Sequence, residues 1–257
     1  MKPVYIVSWL FALAVSFVSC DDWLDKTPKD RLYPDVYFKT EDELRLFTNQ
    51  FYNNLVPSAV DIYSESSDLI VKSDLMLEMS GQRIIPDEGN GWNFTALRDI
   101  NFYLQYSHNC TEVNARNRYD GVARFFRAYF YFEKVKRYGD IPWYDKALDS
   151  DDPELYKARD SREFVMQKML EDLDFAIANL PKTKNAYVLT RWTALALKSR
   201  VCLFEGTFRK YHGLEDYEKY LNACVSASET FMNESGYTLY KSVSYTHLRA
   251  HETCADL

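Results

Sequence analysis

A lone thiol closes the one strongly apolar segment of the chain. The stretch "SFVSCDDWLDKTPKD", residues 16–30, passes from that segment through Cys20 directly into Asp21 and Asp22. Lys2 precedes the uncharged run Val4–Val18, which is shorter than the roughly 20 residues a membrane-spanning helix needs and suits the apolar region of an export signal. With the small residues Ser16 and Ser19 before it, Cys20 has the setting of a lipobox, in which the sulfur is diacylated and the cysteine becomes the mature amino terminus. Phe17 stands where leucine is usual. Each buried methylene of an acyl chain contributes about 0.8 kcal/mol, so several chains together tether a soluble domain to a bilayer. The expected layout is a signal peptide over 1–19 and a lipidated acidic linker over 20–39.

A second set of residues has the chemistry of a binding surface, since aromatic rings offer stacking faces and long loops on a helical scaffold are where binding groups sit. The loop "GQRIIPDEGNGWN", residues 81–93, gathers Gln82, Arg83, Trp92 and Asn93, and Trp143 follows Pro142 at a second turn expected to be exposed. Trp92 has an alternative role, packing against the helix that follows it. His247 and His251, four apart beside Glu252, have a spacing that grips zinc from one helix face. They sit, however, in "SVSYTHLRAHET", which reads as translated adapter sequence, so 242–257 is expected to be a non-native tail and no metal is assigned. His108 and His212 have no ligand cluster between them. The run "DSDDPE" at 149–154 lacks the glycine of a calcium loop and has Pro153 at a ligand position, which leaves a solvated acidic loop.

Bond-breaking chemistry finds no motif: there is no G-x-S-x-G elbow, no dinucleotide-binding turn and no phosphate loop, and no cofactor is expected. A glycosidase pair would need two carboxylates about 5 to 9 Å apart, which spacing along a chain does not show. With 38 acidic against 31 basic residues and a net charge of −7, the surface repels nucleic acid. The 47% hydrophobic content is enough for a sizeable core. Five cysteines are too few for a disulfide scaffold, and Cys110, Cys202 and Cys224 fall in helical patterns as small buried hydrophobes.

The elements that must position these residues are helices. "TEDELRLFTNQFYNNL" begins with a capping box, Thr40 and Glu43, and carries Leu44, Phe47, Phe51 and Leu55 at helical spacing. Helices are expected over "FTALRDINFYLQYS" and over "DGVARFFRAYFYFEKVKRYG", residues 120–139, which Gly139 stops. Phe125, Phe126, Tyr129, Phe130, Tyr131 and Phe132 cover most of the second helix's circumference, the pattern of a central helix. "SREFVMQKMLEDLDFAIANLP" shows a stripe of Phe164, Met169, Leu170, Leu173, Ile177 and Leu180 ended by Pro181. "TRWTALALKSRVCLFEGTFRKY" and "LEDYEKYLNACVSASETFM" pair through Gly213, and "YTLY" at 237–240 looks strand-like. Ala123, Ala128 and Phe132 lie over Ala194, Ser199 and Leu203 at an offset of 71 residues, close to two tetratricopeptide units of roughly 34.

Taken together, "CDDWLDKTP", Trp92 with "LRDIN", "RFFRAYFYFEKVKRYGDIPW" at 124–143, "LEDLDFAIANLP", "TRWTALALKSRVCLFEG" and "GYTLY" resemble the amino-terminal part of a SusD/RagB-family outer-membrane lipoprotein. The resemblance covers about residues 20–241. It implies an all-α fold of degenerate tetratricopeptide helix pairs over 40–241, stopping before an irregular carboxy-terminal part, since family members run to roughly twice this length. It implies a non-enzymatic role: capture of oligosaccharide at the cell surface and delivery to a SusC-like TonB-dependent transporter. The acids behind Cys20 resemble the signal that sends lipoproteins of the Bacteroidota to the outer face of the outer membrane. The alternatives are a peptide-binding RagB-type lipoprotein or a helical-repeat scaffold that binds only protein. The resemblance also implies that the aromatic helix and its "YGDIP" turn are structural.

Overall fold

The computed structural model describes residues 37–57, 80–82, 84 and 91–239. Cys20, the segments 1–19 and 20–36, Arg83 and the 242–257 tail with its histidines lie outside the described residues. Contacts divide the chain after Tyr37, and every described helix belongs to the unit that starts at Phe38.

Six α-helices make up the described architecture: α1 (Glu41–Leu55), α2 (Thr95–Tyr106), α3 (Val113–Tyr138), α4 (Arg162–Asn179), α5 (Arg191–Tyr211) and α6 (Tyr217–Glu234). The all-α expectation holds, with no strand among the described residues and one isolated antiparallel bridge, Ile141 to Asp160. Residues 237–239 of the strand-like "YTLY" form no strand; Tyr237 instead stacks on Phe231. The capping box of α1 is present: Glu43 N–H donates to Thr40 Oγ1 (3.3 Å) and Thr40 N–H donates to Glu43 Oε2 (3.1 Å), which satisfies two amides that a helix start leaves unpaired. Leu44 and Phe51 face the core from α1.

Helix α3 begins seven residues earlier than its dense apolar run suggests. Its polar first turns are drawn in by Ala115 and Tyr119, both buried. Phe125, Phe126, Phe130, Tyr131 and Phe132 are all buried, and of the aromatic run only Tyr129 stays half-exposed, so the helix is packed on nearly every side. Side-chain contacts give the directions of its neighbours. Phe94 meets Phe130 and Asn101 meets Arg127, so α2 runs antiparallel to α3. Gly121 lies against Leu180 and Arg127 against Asp172, so α4 does too. Helices α5 and α6 form a second antiparallel pair, in which Gly206 faces Leu221 and Ser199 bonds Ser228 (2.7 Å). A Cβ at Gly206 would lie 2.7 Å from Leu221 Cδ2. That close approach is why a residue costing about 1 kcal/mol in a helix interior sits there.

Three expectations need correction. In α4 the buried face is Val165, Met166, Met169, Asp172, Leu173 and Ala176, while Phe164 is exposed, because the face that α3 and α5 share is turned from the one apolar spacing picks out. Cys110 is buried but lies just past the 3-10 turn Ser107–Asn109, not in a helix. The 71-residue repeat holds for the pairing of helices and for Ala123 and Ala194, both fully buried, but not throughout: Phe132 is buried and Leu203 is half-exposed.

Two buried ionic clusters tie the pairs together. Between α3 and α4, Arg127 donates from Nε to Asp172 Oδ2 (2.6 Å) and from Nη2 to Asp172 Oδ1 (2.7 Å), and its Nη1 reaches Asn101 Oδ1 of α2 (3.2 Å). Between α4 and α5, the fully buried Glu205 accepts from Arg162 Nε (2.7 Å) and from Arg209 Nε (2.8 Å), and Arg209 also pairs with Glu163. Burying such charges requires this degree of satisfaction.

Candidate functional site

The strap that follows α3 borders a ligand-sized cavity. Gly139, at φ 71°, is in a conformation that suits glycine and turns the chain out of the helix. The strap that follows is then fastened from below. Tyr144 N–H donates to Tyr131 Oη (2.7 Å), and Asn101 Nδ2 donates to the carbonyls of Tyr144 (2.8 Å) and Lys146 (3.2 Å). Asp160 closes the far side by accepting from Trp143 N–H (2.7 Å). These bonds hold open a cavity of about 580 Å³ between α2, the strap and the segment 155–159, with Trp92 and Phe94 on its wall.

Trp92 is 43% exposed, packed edge-on against Phe94 (5.2 Å between centroids) and Tyr138 (4.9 Å), with the Arg159 guanidinium 5.0 Å from its ring centre. The packing role expected of Trp92 is thus visible, and the part of the ring left exposed lies on the cavity wall beside Arg159. The wall is apolar where Leu97 and Leu148 are buried and at the partly exposed Leu155, and basic elsewhere, with Arg98, Lys146, Lys157 and Arg159 and no carboxylate. Three of these cations have partners just outside the cavity: Arg98 with Asp149 (3.7 Å), Lys146 with Glu154 (2.9 Å) and Lys157 with Asp160 (3.0 Å). The acidic run 149–154 therefore does more than stay solvated, since it supplies counter-ions to the cavity wall, and Asp152 also caps the 3-10 turn Pro153–Tyr156. Arg159 is exposed and has no carboxylate partner among the described residues. Burial raises the Tyr144 phenol above its ordinary range, so it stays a neutral hydroxyl at the wall.

The residues singled out from sequence do not all converge. Asn93 spends its Oδ1 on Thr95 N–H (2.8 Å) at the start of α2, and Gln82 sits exposed beside the Gly81 turn; neither lines the cavity. Trp143 is not at an exposed turn. It is 6% exposed, stacked on Tyr131 (4.2 Å) with Arg127 5.2 Å from its centre, because the bonded strap folds the indole inward. Phe94, Arg98, Tyr144, Lys157 and Arg159 went unnoticed in the sequence. The one hint was the acidic run, whose counter-ions had to lie somewhere.

Comparison with known proteins identifies the family of the chain. Residues 52–191 match a SusD-like family described as "Starch-binding associating with outer membrane". Two SusD-like proteins of Formosa agariphila are 24% identical over 226 residues and 27% identical over 218, covering 79% and 77% of this chain and 43% of each relative. The fold matches a SusD-like protein of Bacteroides fragilis (TM-score 0.63, 22% identity, 83% of this chain and 42% of that one). It also matches a SusD homolog of Bacteroides thetaiotaomicron (TM-score 0.63, 18% identity, 80% and 43%). The chain spans under half the length of these relatives. With a family match over more than half of its residues, and the helix pairs of that fold, the chain belongs to the SusD/RagB family.

Proposed function

We propose that this protein binds oligosaccharides at the outer surface of the outer membrane, held there by acyl chains on Cys20, and passes them to a SusC-like TonB-dependent transporter without breaking bonds. The observation that carries the reading is the Trp92 cavity. Its volume lies within the roughly 300–1,000 Å³ of small-molecule sites, and it joins a half-exposed indole to a guanidinium with no carboxylate partner among the described residues. A sugar C–H face on the indole and hydroxyls bonded to Arg159 and the strap use both halves of that wall. The family description supports the ligand class and the membrane location, while the setting of Cys20 supports the tether.

Calorimetric titration with an oligosaccharide panel tests the binding step. At least one member should bind, and Trp92→Ala should weaken it by about tenfold or more, in line with loss of an aromatic platform together with its bonded neighbour. Unaltered affinity after Trp92→Ala and Arg159→Ala removes the cavity from the function. Co-purification with a transporter barrel without any glycan retention would instead favour a scaffold that binds only protein. The tether is tested by palmitate labelling in cells, which Cys20→Ala should abolish.

A further inference from the structure

The other end of α3 carries a second cleft of a different chemistry. Asn117 and Tyr138 are about 30 Å apart along the axis at 1.5 Å per residue, so this cleft is remote from the Trp92 cavity. We propose that it is a separate binding site for a neutral saccharide, formed by the first turns of α3 and the connection from α4 to α5.

The cleft has a volume of about 510 Å³, and its wall carries four amides, Asn114, Asn117, Asn179 and Asn185, together with Arg118. No carboxylate lines it. The side chains of Asn114 and Asn117 make no hydrogen bond to another described residue. Asn179 donates from Nδ2 to Phe175 O (2.8 Å), which leaves its Oδ1 as an acceptor, while Asn185 accepts from Tyr187 N–H (2.8 Å) on Oδ1, which leaves its Nδ2 as a donor. The free groups are thus donors and acceptors side by side, the complement of a hydroxyl, which is both at once. Arg118 is already engaged by Glu41 (3.4 Å), so the cleft offers no unpaired charge and suits a neutral ligand.

An aromatic face is adjacent. Asn185 and Val188 also wall an apolar cavity of about 340 Å³ in which Tyr187 takes part, and Tyr187 is 89% exposed. The connection therefore presents amides to the cleft and, at Tyr187, an exposed ring to the cavity beside it. It is held in place before any ligand arrives: Leu189 N–H donates to Tyr52 Oη (2.9 Å), Arg191 N–H to Pro181 O (3.0 Å) and Trp192 Nε1 to Lys182 O (2.6 Å). A loop ordered in advance loses less entropy on binding.

The test uses the full chain carrying Trp92→Ala, which weakens the other cavity about tenfold, titrated with maltohexaose, cellohexaose and mannohexaose. At least one should bind. Adding Asn117→Asp, which keeps the volume and removes the donors, together with Asn185→Ala should weaken it about tenfold while the thermal midpoint stays in place. Tyr187→Ala should weaken it as well. Failure of all three sugars to bind the Trp92→Ala chain overturns the proposal, and so does equal affinity with and without the asparagine changes. If binding disappears with Trp92→Ala alone and the asparagine variants of the unaltered chain keep full affinity, the Trp92 cavity stands and this second site falls.

Discussion

Trp92 and Trp143 carry the same local pair, an indole with a guanidinium about 5 Å from its ring centre, in opposite surroundings. At Trp143 the partner is Arg127, three of whose donors are taken by a bidentate bond to Asp172 and by Asn101, all of them buried. At Trp92 the partner is Arg159, exposed and without a carboxylate among the described residues. A cation beside an aromatic ring is therefore not a mark of function by itself. What separates the two is how many of the arginine's donors the described residues use: the inner guanidinium is held by Asp172 and Asn101, while the outer one has no carboxylate partner among the described residues and lies on the cavity wall.

Breaking the inner pair should have the largest effect. Asp172→Ala leaves Arg127 charged and buried without its partner, an arrangement that costs about 3–5 kcal/mol. Denaturant unfolding should show that loss, and a change under about 1 kcal/mol would mean that Arg127 is neutralised by something other than Asp172. Trp143→Ala comes next, because removal of a buried aromatic leaves a void that rigid neighbours fill only partly, at about 3 kcal/mol. Trp92→Ala should lower stability by only about 1 kcal/mol, for its edge contacts with Phe94 and Tyr138, while lowering glycan affinity about tenfold. Equal stability losses at the two tryptophans would erase the distinction between them.

The elements were readable from the chain because helix periodicity and capping are local. Thr40 with Glu43 placed the start of α1, and Gly139 placed the end of α3. The aromatic density of residues 125–132 marked α3 as central. What escaped was long-range. Nothing near Trp143 along the chain shows that Tyr131 and Asn101 bind the strap and turn the indole inward. Likewise Arg98 and Arg159 meet on one wall only because α2 and the 155–159 segment come together in three dimensions. The amides of the second cleft come from α3, the end of α4 and a loop, and no spacing rule joins them.

Asp120 extends the comparison to a buried acid that lacks what Asp172 has. Its Oδ1 and the Tyr103 hydroxyl are both buried and have no hydrogen-bond partner among the described residues. Burial holds the Asp120 carboxyl above the usual carboxylate range, against the opposing influence of the Ser107 and Tyr103 hydroxyls and of Arg124 and Arg116. The folded chain thus binds this proton more tightly than the unfolded chain, whose aspartates titrate near pH 4. Stability contributed by the protonated form is complete below that value and is lost as pH rises through the raised folded value. Asp120→Asn keeps the shape without the charge, so the variant should gain on the unaltered chain across that window and hold a constant lead above it, by no more than about 1 kcal/mol. Asp99, also raised by burial, is common to both chains and cancels in the difference. Thermal midpoints of the two chains from pH 4 to 8 provide the check. A difference that stays level throughout would show that Asp120 is already compensated in the fold, and that a buried acid here needs no arginine fork like the one Asp172 receives.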